Sequence, residues 1–417
     1  MNDKKYNILT LDPMFSSLSN KICNLWGNKK YAIPSLCSFW IYLPNCEIYR
    51  VKRKNPPSKE MLDLVGKNKN LYTETIYRDL KRQLNEEEII YFAQYAEFIN
   101  QFIESKNINL IVMHNDTRWN HALVIELAKI KNIPVLVLEL GLIRPNTTVV
   151  DLMGCNANSM TLKRVNWEIK DIYKPIKNND VKYGHDTFLS RFYFIFFFLF
   201  VKMELSLFRR NERKYFYNQY SLSKYLTIIK NSLYKKRESI DLIKDENCKT
   251  VFLILQLEND SQLLVHGDRI RNQDLIDIFE TKCEMYNRRL IIKMHPLEIN
   301  KFNIKETTHI VDSCIKKISL ISDYVFTVNS SASLLVLETP TPLYLLGNSV
   351  FANEGVAERV VLDDIDTLIS NDDNYQYTSK RKEFLNYVKH NYLLHGAGFS
   401  YHNENIHQKL NQIMELV

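Results

Sequence analysis

Apolar and polar positions along the chain follow two periods, one typical of buried strands and the other of amphipathic helices. Short, continuous apolar runs are expected in the strands of a parallel sheet, and apolar positions three to four residues apart are expected on helices. In the first half, strands are predicted at Tyr6–Leu11, Asn109–Met113 and Pro134–Leu138, and helices at Glu86–Lys106 and Arg118–Lys131. This strand-helix-strand order predicts a parallel sheet with right-handed crossovers.

The same alternation returns in the second half. Strands are predicted at Thr250–Leu255, Leu290–Met294, Tyr324–Val328 and Pro342–Leu346, and helices at Gln273–Tyr286, Ile315–Ile321 and Ser331–Leu337. The region between the two halves is rich in Tyr, Phe and Lys and lacks strand alternation. We therefore predict an α/β fold with two Rossmann-like domains that face a cleft and a helical insert between them. The predicted segments are an N-terminal Rossmann-like domain (1–165), a basic and aromatic helical insert (166–245), a C-terminal Rossmann-like nucleotide-binding domain (246–385) and a helical tail (386–417).

Composition supports this division of the chain. Its 417 residues suit two domains, each large enough to bury a core, and a content of 45% hydrophobic and 25% charged residues is globular. The seven cysteines are odd in number and form no CxxC pair, which argues against a disulfide framework and a zinc site. No secretory signal pattern is present at the N-terminus. These features predict a cytoplasmic protein.

Two features of the insert bear on membranes. The apolar run Phe192–Val201 is about half the length that a bilayer span needs, so we expect a buried helix or one that dips into an interface. Residues 202–237 contain ten Lys or Arg against Glu204 and Glu212. This basic region is either a solvated helical face or a patch that attracts anionic lipid. Nucleic acid is disfavoured as a partner because no nucleic-acid-binding module accompanies the charge.

Charged side chains follow two neighbouring strands of the first domain. The strand at Asn109–Met113 leads into a run that contains Asp116 and Arg118, and the next strand leads into Glu139 and Arg144. Ligands of such sheets bind at the carboxyl ends of the strands, so we expect two carboxylates and two guanidinium groups to line the cleft. Asp116 can also be read as the N-cap of the following helix. A carboxylate such as Glu139 beside a buried strand needs a partner or a function.

Polar residues also lie at or just after the ends of three strands of the second domain. They are Gln256, Glu258, Asp260, Lys293, His295, Asn329, Ser330 and Ser331. Small hydroxyls and backbone N–H groups at the start of a helix can hold a phosphate, although a plain cap or turn is the simpler reading of each motif. The sequence has neither a Walker A loop nor GxGxxG, which disfavours P-loop kinases and dinucleotide oxidoreductases. We expect no metal site at Asp364-Ile365-Asp366 despite its DxD spelling.

Taken together, these segments resemble the capsule polysaccharide biosynthesis family that includes KpsS and KpsC, which are retaining β-Kdo transferases. A single module of this size is similar to KpsS, whereas KpsC carries two modules. The resemblance rests on residues 114–118, 139–145, 154–159, 256–262, 293–296 and 328–331. It implies a GT-B-like fold, CMP-β-Kdo as the donor, no cofactor and no metal ion.

The resemblance also implies roles for individual residues. Asp116 would attack the anomeric carbon to form a covalent Kdo adduct, with Arg118 or Arg144 holding the sugar carboxylate. Glu139, followed by Glu258, would act as acid or base on the acceptor. The CMP phosphate would be held by His295, Ser330 and Ser331, with the other donor-binding residues being Lys293, Asn329, Gln256, Asp260 and Arg144.

The expected acceptor is a lipid of the phosphatidylglycerol type or a glycan, and the expected location is cytoplasmic, peripheral to the inner membrane. Other capsule biosynthesis enzymes are possible partners. One departure concerns the donor, because Leu335 occupies a position where the family commonly has a glutamate, and Glu338 lies three residues further on. Two alternatives therefore stay open: a CMP-sugar transferase of another specificity, such as a sialyltransferase, and a non-catalytic partner in capsule assembly or export.

Overall fold

The computed structural model describes residues 5–53, 56–68, 84–144, 146–164, 187–208, 244, 247–370 and 379–416. These residues divide into two compact units. The first unit contains the described residues of 1–166, 171–220 and 389–417, and the second contains those of 221–388. Each unit is built around its own sheet.

The strands are short, as expected for α/β folds. They are β1 (Tyr6–Thr10), β2 (Gly27–Ala32), β3 (Glu47–Ile48), β4 (Leu110–His114), β5 (Val135–Leu140), β6 (Thr147–Leu152), β7 (Thr250–Ile254), β8 (Arg289–Lys293), β9 (His309–Ile310), β10 (Tyr324–Thr327), β11 (Leu343–Leu345), β12 (Glu358–Arg359) and β13 (Leu393–His395).

Helices connect most of these strands. They are α1 (Leu18–Trp26), α2 (residues 59–68), α3 (Glu86–Ser105), α4 (Trp119–Ile130), α5 (Met160–Arg164), α6 (Thr187–Met203), α7 (Ser261–His266), α8 (Asn272–Met285), α9 (Ile315–Ile321), α10 (Ser333–Val336), α11 (Ile365–Ser370), α12 (Ser379–Tyr387) and α13 (Asn403–Met414). Short 3-10 turns lie at Cys37–Tyr42, Asn156–Asn158 and Leu362–Asp364, and π-helical turns at Glu204–Phe208 and Val388–Tyr392.

The first unit has a seven-stranded sheet in the order β13-β6-β5-β4-β1-β2-β3. The strands from β5 to β3 pair in parallel, as predicted. The predicted helix at Glu86–Lys106 is α3, which begins with a capping box between Asn85 and Glu88. Apolar side chains of β1, β4 and β5, among them Ile8, Leu110 and Leu136, are fully buried in one core. This burial explains why the continuous apolar runs form central strands.

The far edge of this sheet differs from the prediction. Strand β6 was not predicted and runs antiparallel to β5, and β13 runs antiparallel to β6. The segment 386–417, predicted as a helical tail, therefore contributes a strand to the first sheet before it forms α13. Strand β13 has three residues, too few for a periodic pattern, so it depends on its pairing with Thr147–Val149.

The second unit has a six-stranded sheet in the order β12-β11-β10-β7-β8-β9, in which every neighbouring pair is parallel. Its predicted strands and the predicted helix at Gln273–Tyr286 are confirmed. The core includes Leu253, Ile292 and Phe326, each fully buried. The helix predicted at Ser331–Leu337 is shorter in the structure, where α10 spans Ser333–Val336. The predicted α/β class with two Rossmann-like units is confirmed.

Most of the predicted insert lies outside the described residues, including the basic region from residue 209 to 237. Its described part is α6 with the turn that follows, and the predicted helix over Phe192–Val201 lies within α6. In the described ranges, no helix has both the length and the apolar character needed to cross a bilayer.

Candidate functional site

The carboxyl ends of β1, β4 and β5 bring several polar residues together in the first unit. These strands are neighbours in the sheet, with Thr10 paired to Val112 and Met113 paired to Val137. The backbone N–H of His114 donates to the carbonyl of Asp12 at 2.9 Å, and that of Asn115 donates to Leu138 at 2.9 Å. Asp12, His114 and Glu139 therefore lie along one edge of the sheet.

The sequence indicated that Glu139 follows its strand, but in the structure Glu139 lies within β5. Three neighbours hold its carboxylate. Oε1 lies 3.5 Å from Nε2 of His114 and accepts the backbone N–H of Leu140 at 2.9 Å. Oε2 accepts Nδ2 of Asn115 at 2.9 Å. Burial alone would raise the pKa of Glu139, but His114 and the two other donors outweigh it and lower the pKa to about 2. Glu139 is therefore charged at neutral pH.

Asn115 shapes this edge of the sheet, a role that was not predicted from the sequence. Its φ of 69° is left-handed, a conformation that Asn tolerates better than most residues. Its Oδ1 accepts the backbone N–H of Thr117 at 2.8 Å, while its Nδ2 faces Glu139. Its carbonyl oxygen lies 2.9 Å from Nδ1 of His121. Asn115 thus links the turn after β4 to Glu139 on the neighbouring strand.

Asp116 is almost fully buried, with 5% of its surface exposed. Its Oδ2 accepts the backbone N–H of Cys155 at 3.2 Å and Nδ2 of Asn158 at 2.9 Å, and its Oδ1 lies 3.4 Å from the Cys155 thiol. The N-cap of α4 is Arg118, so Asp116 does not hold the capping position that the sequence allowed. These contacts fix the orientation of the carboxylate.

Gly154 allows the segment after β6 to approach Asp116 closely. A Cβ at this position would lie 2.7 Å from atoms of Asn158 and 3.2 Å from Oδ2 of Asp116. Burial, together with the negative charge of Asp116, raises the pKa of the Cys155 thiol well above its usual range, so Cys155 acts as a neutral donor. The antiparallel strand β6, which the sequence did not reveal, brings these partners to Asp116.

Arg118 lies beside a second buried carboxylate, Asp12. The Nη1 of Arg118 is 3.3 Å from Oδ2 of Asp12, which also accepts the hydroxyl of Ser35 at 2.7 Å. His121 approaches the same oxygen at 3.6 Å, and desolvation lowers the pKa of its imidazole to about 4. His121 is therefore neutral at pH 7. Asp12 was missed by the sequence reasoning although it follows β1 by two residues, the same signal that identified the other strand ends.

Arg144 is exposed and its Nε lies 3.4 Å from the carbonyl oxygen of Gly141. This contact holds the side chain within its own turn after β5. The structure thus brings Asp116, Glu139 and Arg118 to the carboxyl edge of one sheet, with Arg144 on the adjoining turn.

In the second unit, three parallel strands end at the same level. Thr327 of β10 pairs with Ile254 of β7, which pairs with Lys293 of β8. Two residues further on, these strands lead to Asn329, Gln256 and His295 respectively. Since neighbouring strands lie about 4.8 Å apart, these three predicted residues follow one edge of the sheet.

Gln256 and Asn329 form a reciprocal pair. The Nε2 of Gln256 donates to Oδ1 of Asn329 at 2.8 Å, and the backbone N–H of Asn329 donates to Oε1 of Gln256 at 2.8 Å. Asn329 also donates from Nδ2 to the carbonyl of Gln262 at 3.0 Å. This pair fixes the loop after β7 against the loop after β10.

Glu258 and Asp260 have structural contacts. Glu258 lies 3.5 Å from Nη1 of Arg271 and accepts the backbone N–H of Asn272 at 3.1 Å. Asp260 is the N-cap of α7 and accepts the backbone N–H of Gln262 at 2.8 Å. Both carboxylates thus support the polar loop after β7.

The other predicted donor-binding residues lie at the end of β8 or on the loops after β8 and β10, and are partly exposed. Lys293 donates to the carbonyl of Ser313 at 3.0 Å, and Nδ1 of His295 accepts the backbone N–H of Leu297 at 3.1 Å. The hydroxyl of Ser330 accepts the backbone N–H of Ala332 at 3.2 Å. Ser331 is partly exposed beside it. The turn interpretation therefore applies to His295, whereas the N-cap interpretation of Ser330 and Ser331 does not, because the N-cap of α10 is Ala332 and Ser330 stabilises the turn before it. Both His295 and Ser330 are partly exposed at this edge of the sheet.

Among the described residues, no group of three or more His, Cys, Asp and Glu is arranged to hold a metal ion. In the DxD sequence, Oδ2 of Asp366 lies 2.6 Å from Nζ of Lys282, and Asp364 accepts the backbone N–H of Val361 at 3.2 Å. Both side chains therefore stabilise the local structure. Metal-independence itself stays a prediction.

Comparison with known proteins identifies a family. The sequence profile of a family described as capsule polysaccharide biosynthesis protein matches residues 109–394, well over half of the 417 residues. This range contains both Asp116 and Glu139 of the first unit and the Gln256 to Asn329 pair of the second. A search of curated proteins found no significant match.

Solved structures show weaker likenesses. Thermosulfurimonas dismutans KpsC, beta Kdo 2,4 transferase, is 12% identical with a TM-score of 0.39, covering 79% of this chain and 88% of that chain. The KpsC beta Kdo 2,7 transferase of the same organism is 13% identical with a TM-score of 0.39, covering 82% and 94%. UDP-GlcNAc 2-epimerase from Neisseria meningitidis is 12% identical with a TM-score of 0.29, covering 98% and 99%. Likenesses this distant assign no donor, acceptor or reaction.

Proposed function

Since the chain belongs to the capsule polysaccharide biosynthesis family, we propose that it is a retaining glycosyltransferase that acts in the synthesis of a capsule linker. Its donor is CMP-β-Kdo, and its acceptor is a lipid of the phosphatidylglycerol type or a glycan. The observation that carries the proposal is the pair of carboxylates on adjoining strand ends, Asp116 and Glu139, each oriented by its own set of donors. The motifs shared with β-Kdo transferases support the choice of donor.

Asp116 is the nucleophile in this proposal. One carboxylate oxygen attacks the anomeric carbon of Kdo while the bond to the CMP phosphate breaks, and CMP leaves with the electron pair. The acceptor hydroxyl then attacks the same carbon and releases the carboxylate of Asp116. Two inversions give net retention. The donors Cys155 and Asn158 hold the carboxylate in place for the attack and stabilise its charge when it leaves.

Glu139 accepts the proton of the acceptor hydroxyl in the second step. With a pKa of about 2, it is ionised at neutral pH and has no proton to donate. Of the two roles expected from the sequence, acid or base, the base is the one that its electrostatics support. His114, whose Nε2 lies 3.5 Å from Oε1 of Glu139, stabilises the charged form of this carboxylate. Glu258 is the second candidate, held by Arg271.

Kdo carries a carboxylate of its own, so the site requires a fixed cation. Arg118 fits this role because Asp12 holds its guanidinium from one side and because a guanidinium can bind a carboxylate with two parallel hydrogen bonds. Arg144 is the alternative, and its exposure gives it more freedom to move toward a ligand.

The second unit binds the nucleotide in this proposal. The paired side chains of Gln256 and Asn329 hold two loops in a fixed arrangement, with Lys293, His295, Ser330 and Ser331 on the same edge of the sheet contributing donors to the CMP phosphate. Asp260 supports this edge by capping α7. No metal ion or other cofactor is required, since these donors would stabilise the leaving phosphate.

A donor panel tests the proposal. The purified protein is incubated with a lipid acceptor and, separately, with CMP-Kdo, CMP-sialic acid or a UDP-sugar, each with and without a chelator, and CMP or UDP release is measured. We expect release from CMP-Kdo alone, unaffected by the chelator. Turnover of CMP-sialic acid instead would assign a different CMP-sugar specificity. This alternative is tested because Leu335 stands where the family commonly has a glutamate. Binding without turnover of any donor would favour a non-catalytic role in capsule assembly or export.

A further inference from the structure

Helix α6 has an exposed apolar stripe along its whole length. The stripe follows helical spacing and its members are 44–80% exposed, which is unusual for such large side chains. They are Phe188, Phe192, Ile195, Phe196, Leu199 and Met203, continued by Leu207 and Phe208 in the turn that follows. A contiguous apolar surface of this kind marks an interaction site.

The opposite stripe of α6 is fixed to the first unit. Phe197 and Val201 are fully buried against Leu36, Phe39 and Tyr42. At the end of the helix, buried Glu204 accepts the backbone N–H groups of Cys37 and Ser38 at 2.9 Å and the hydroxyl of Ser38 at 2.7 Å. The outward stripe is therefore displayed by an anchored helix and does not turn inward to complete the core.

The charges on α6 favour an anionic partner. The 17 residues of the helix contain Arg191 and Lys202 and no acidic residue, and the sequence that follows begins its basic region with Arg209 and Arg210. At 1.5 Å per residue the helix is about 25 Å long, shorter than a bilayer core of about 30 Å, so it cannot cross a membrane. A helix that carries positive charge and displays an apolar stripe away from the core has properties of helices that lie in a membrane interface.

Trp40 extends the same surface. It belongs to the 3-10 turn that packs under α6, is 51% exposed, and its ring lies 6.2 Å from that of Phe200. Trp side chains are enriched where apolar and aqueous phases meet. The outward stripe of α6 and Trp40 together form one surface, here called the α6 face.

We propose that the α6 face docks the protein on a bilayer containing anionic lipid, with α6 lying parallel to the membrane plane. On its inner side, α6 contacts Phe15, whose ring lies 5.2 Å from Phe197 and 6.4 Å from His114, the partner of Glu139. Docking through this face would therefore place the membrane interface beside the carboxylate site. An acceptor with a lipid tail could then reach Glu139 from the membrane. The access of this acceptor rests on the proposed function, but the docking of the α6 face on a membrane does not.

Vesicle binding tests the docking without donor or acceptor. Full-length protein is sedimented with vesicles of phosphatidylcholine alone or with about a third phosphatidylglycerol, as wild type and as the Ile195→Ser/Leu199→Ser variant. We expect binding to the anionic vesicles, at least about tenfold weaker binding for the variant, and weak binding to phosphatidylcholine alone. The matched control is Ile130→Ser, which removes another exposed Ile of the first unit (59% exposed) and should bind like wild type.

Tryptophan fluorescence locates the contact. Because the chain has a fourth tryptophan at position 167, the experiment is done in a Trp167→Phe background. Brominated acyl chains in the anionic vesicles should quench Trp40, and the quenched signal should disappear in Trp40→Phe, since the two remaining tryptophans, Trp26 and Trp119, are buried with 6% and 4% exposure. Equal binding by wild type and the double Ser variant, or the same quenching with and without Trp40, would overturn the proposal. So would a dimer that is lost in the double Ser variant while vesicles are not bound, because the face would then belong to a second copy of the chain.

Discussion

The side-chain amide of Asn115 donates to Oε2 of Glu139 across 2.9 Å, joining the turn after one strand to the end of the next. The backbone of Asn115 is left-handed at this point, with φ 69°. One residue outside the set predicted from sequence therefore orients the carboxylate that we propose as the base.

Replacing Asn115 with Asp tests this link. Asp tolerates the left-handed backbone and keeps an oxygen for Thr117, but it replaces the donor to Glu139 with a second negative charge. We expect transfer activity to fall at least about tenfold and the acid limb of the pH-rate profile to move to higher pH. The control is Asn132→Asp, an exposed position with φ 53°, which should leave both unchanged. An unaltered pH profile in Asn115→Asp would contradict the role of this contact.

Glu139 should also make stability depend on acidity. Its pKa in the folded protein, about 2, lies below the ordinary value of 4.5. The ionised carboxylate therefore stabilises the fold above pH 4.5, and this contribution is lost as the pH falls from 4.5 toward 2. The difference in unfolding free energy between wild type and Glu139→Gln should be constant from about pH 5 to 7 and should shrink below that range. Denaturant unfolding at several pH values measures it, and a difference independent of pH would exclude the shift.

The strand ends could be predicted from sequence, while the contacts between them could not. Long apolar runs identified β4, β5, β7, β8 and β10, and hence the positions of Asp116 and Asn329. The partners of Asp116 depend on β6, whose antiparallel pairing with β5 is a tertiary feature. Strand β13 joins β6 from more than 240 residues further along the chain. Asp12 could have been predicted as well, because it follows β1 by two residues and so lies at a strand end like the residues that were predicted.

Gly154 should be required for the environment of Asp116. A Cβ in Gly154→Ala would press on Asn158 and Asp116, and we expect transfer activity to fall at least about tenfold and unfolding free energy to fall by about 1–3 kcal/mol. The matched control is Gly66→Ala, in helix α2 with nothing within 4 Å of the added Cβ. It should raise stability by roughly 0.5–1 kcal/mol and leave activity unchanged. Equal effects at both glycines would show that the tight approach is unimportant.

The pair of Gln256 and Asn329 should be coupled in stability and in nucleotide binding. Asn329→Ala removes the acceptor of Gln256 Nε2, and we expect a loss of about 1–3 kcal/mol in unfolding free energy. CMP affinity, measured by calorimetry, should fall at the same time. Asn300→Ala, on an exposed loop of the same unit, serves as the control. If a double-mutant cycle with Gln256→Leu gave additive effects, the two side chains would not act as a unit.

The central claim is that Asp116 is the nucleophile, and intact-protein mass spectrometry tests it most directly. Wild type is incubated with CMP-Kdo without acceptor and quenched in acid, in parallel with Asp116→Asn, Asp116→Ala and Glu139→Gln. We predict that wild type and Glu139→Gln gain the mass of one Kdo, that peptide mapping places it on Asp116, and that neither Asp116 variant is labelled. Labelling of Glu139, or full transfer activity in Asp116→Asn, would contradict the account.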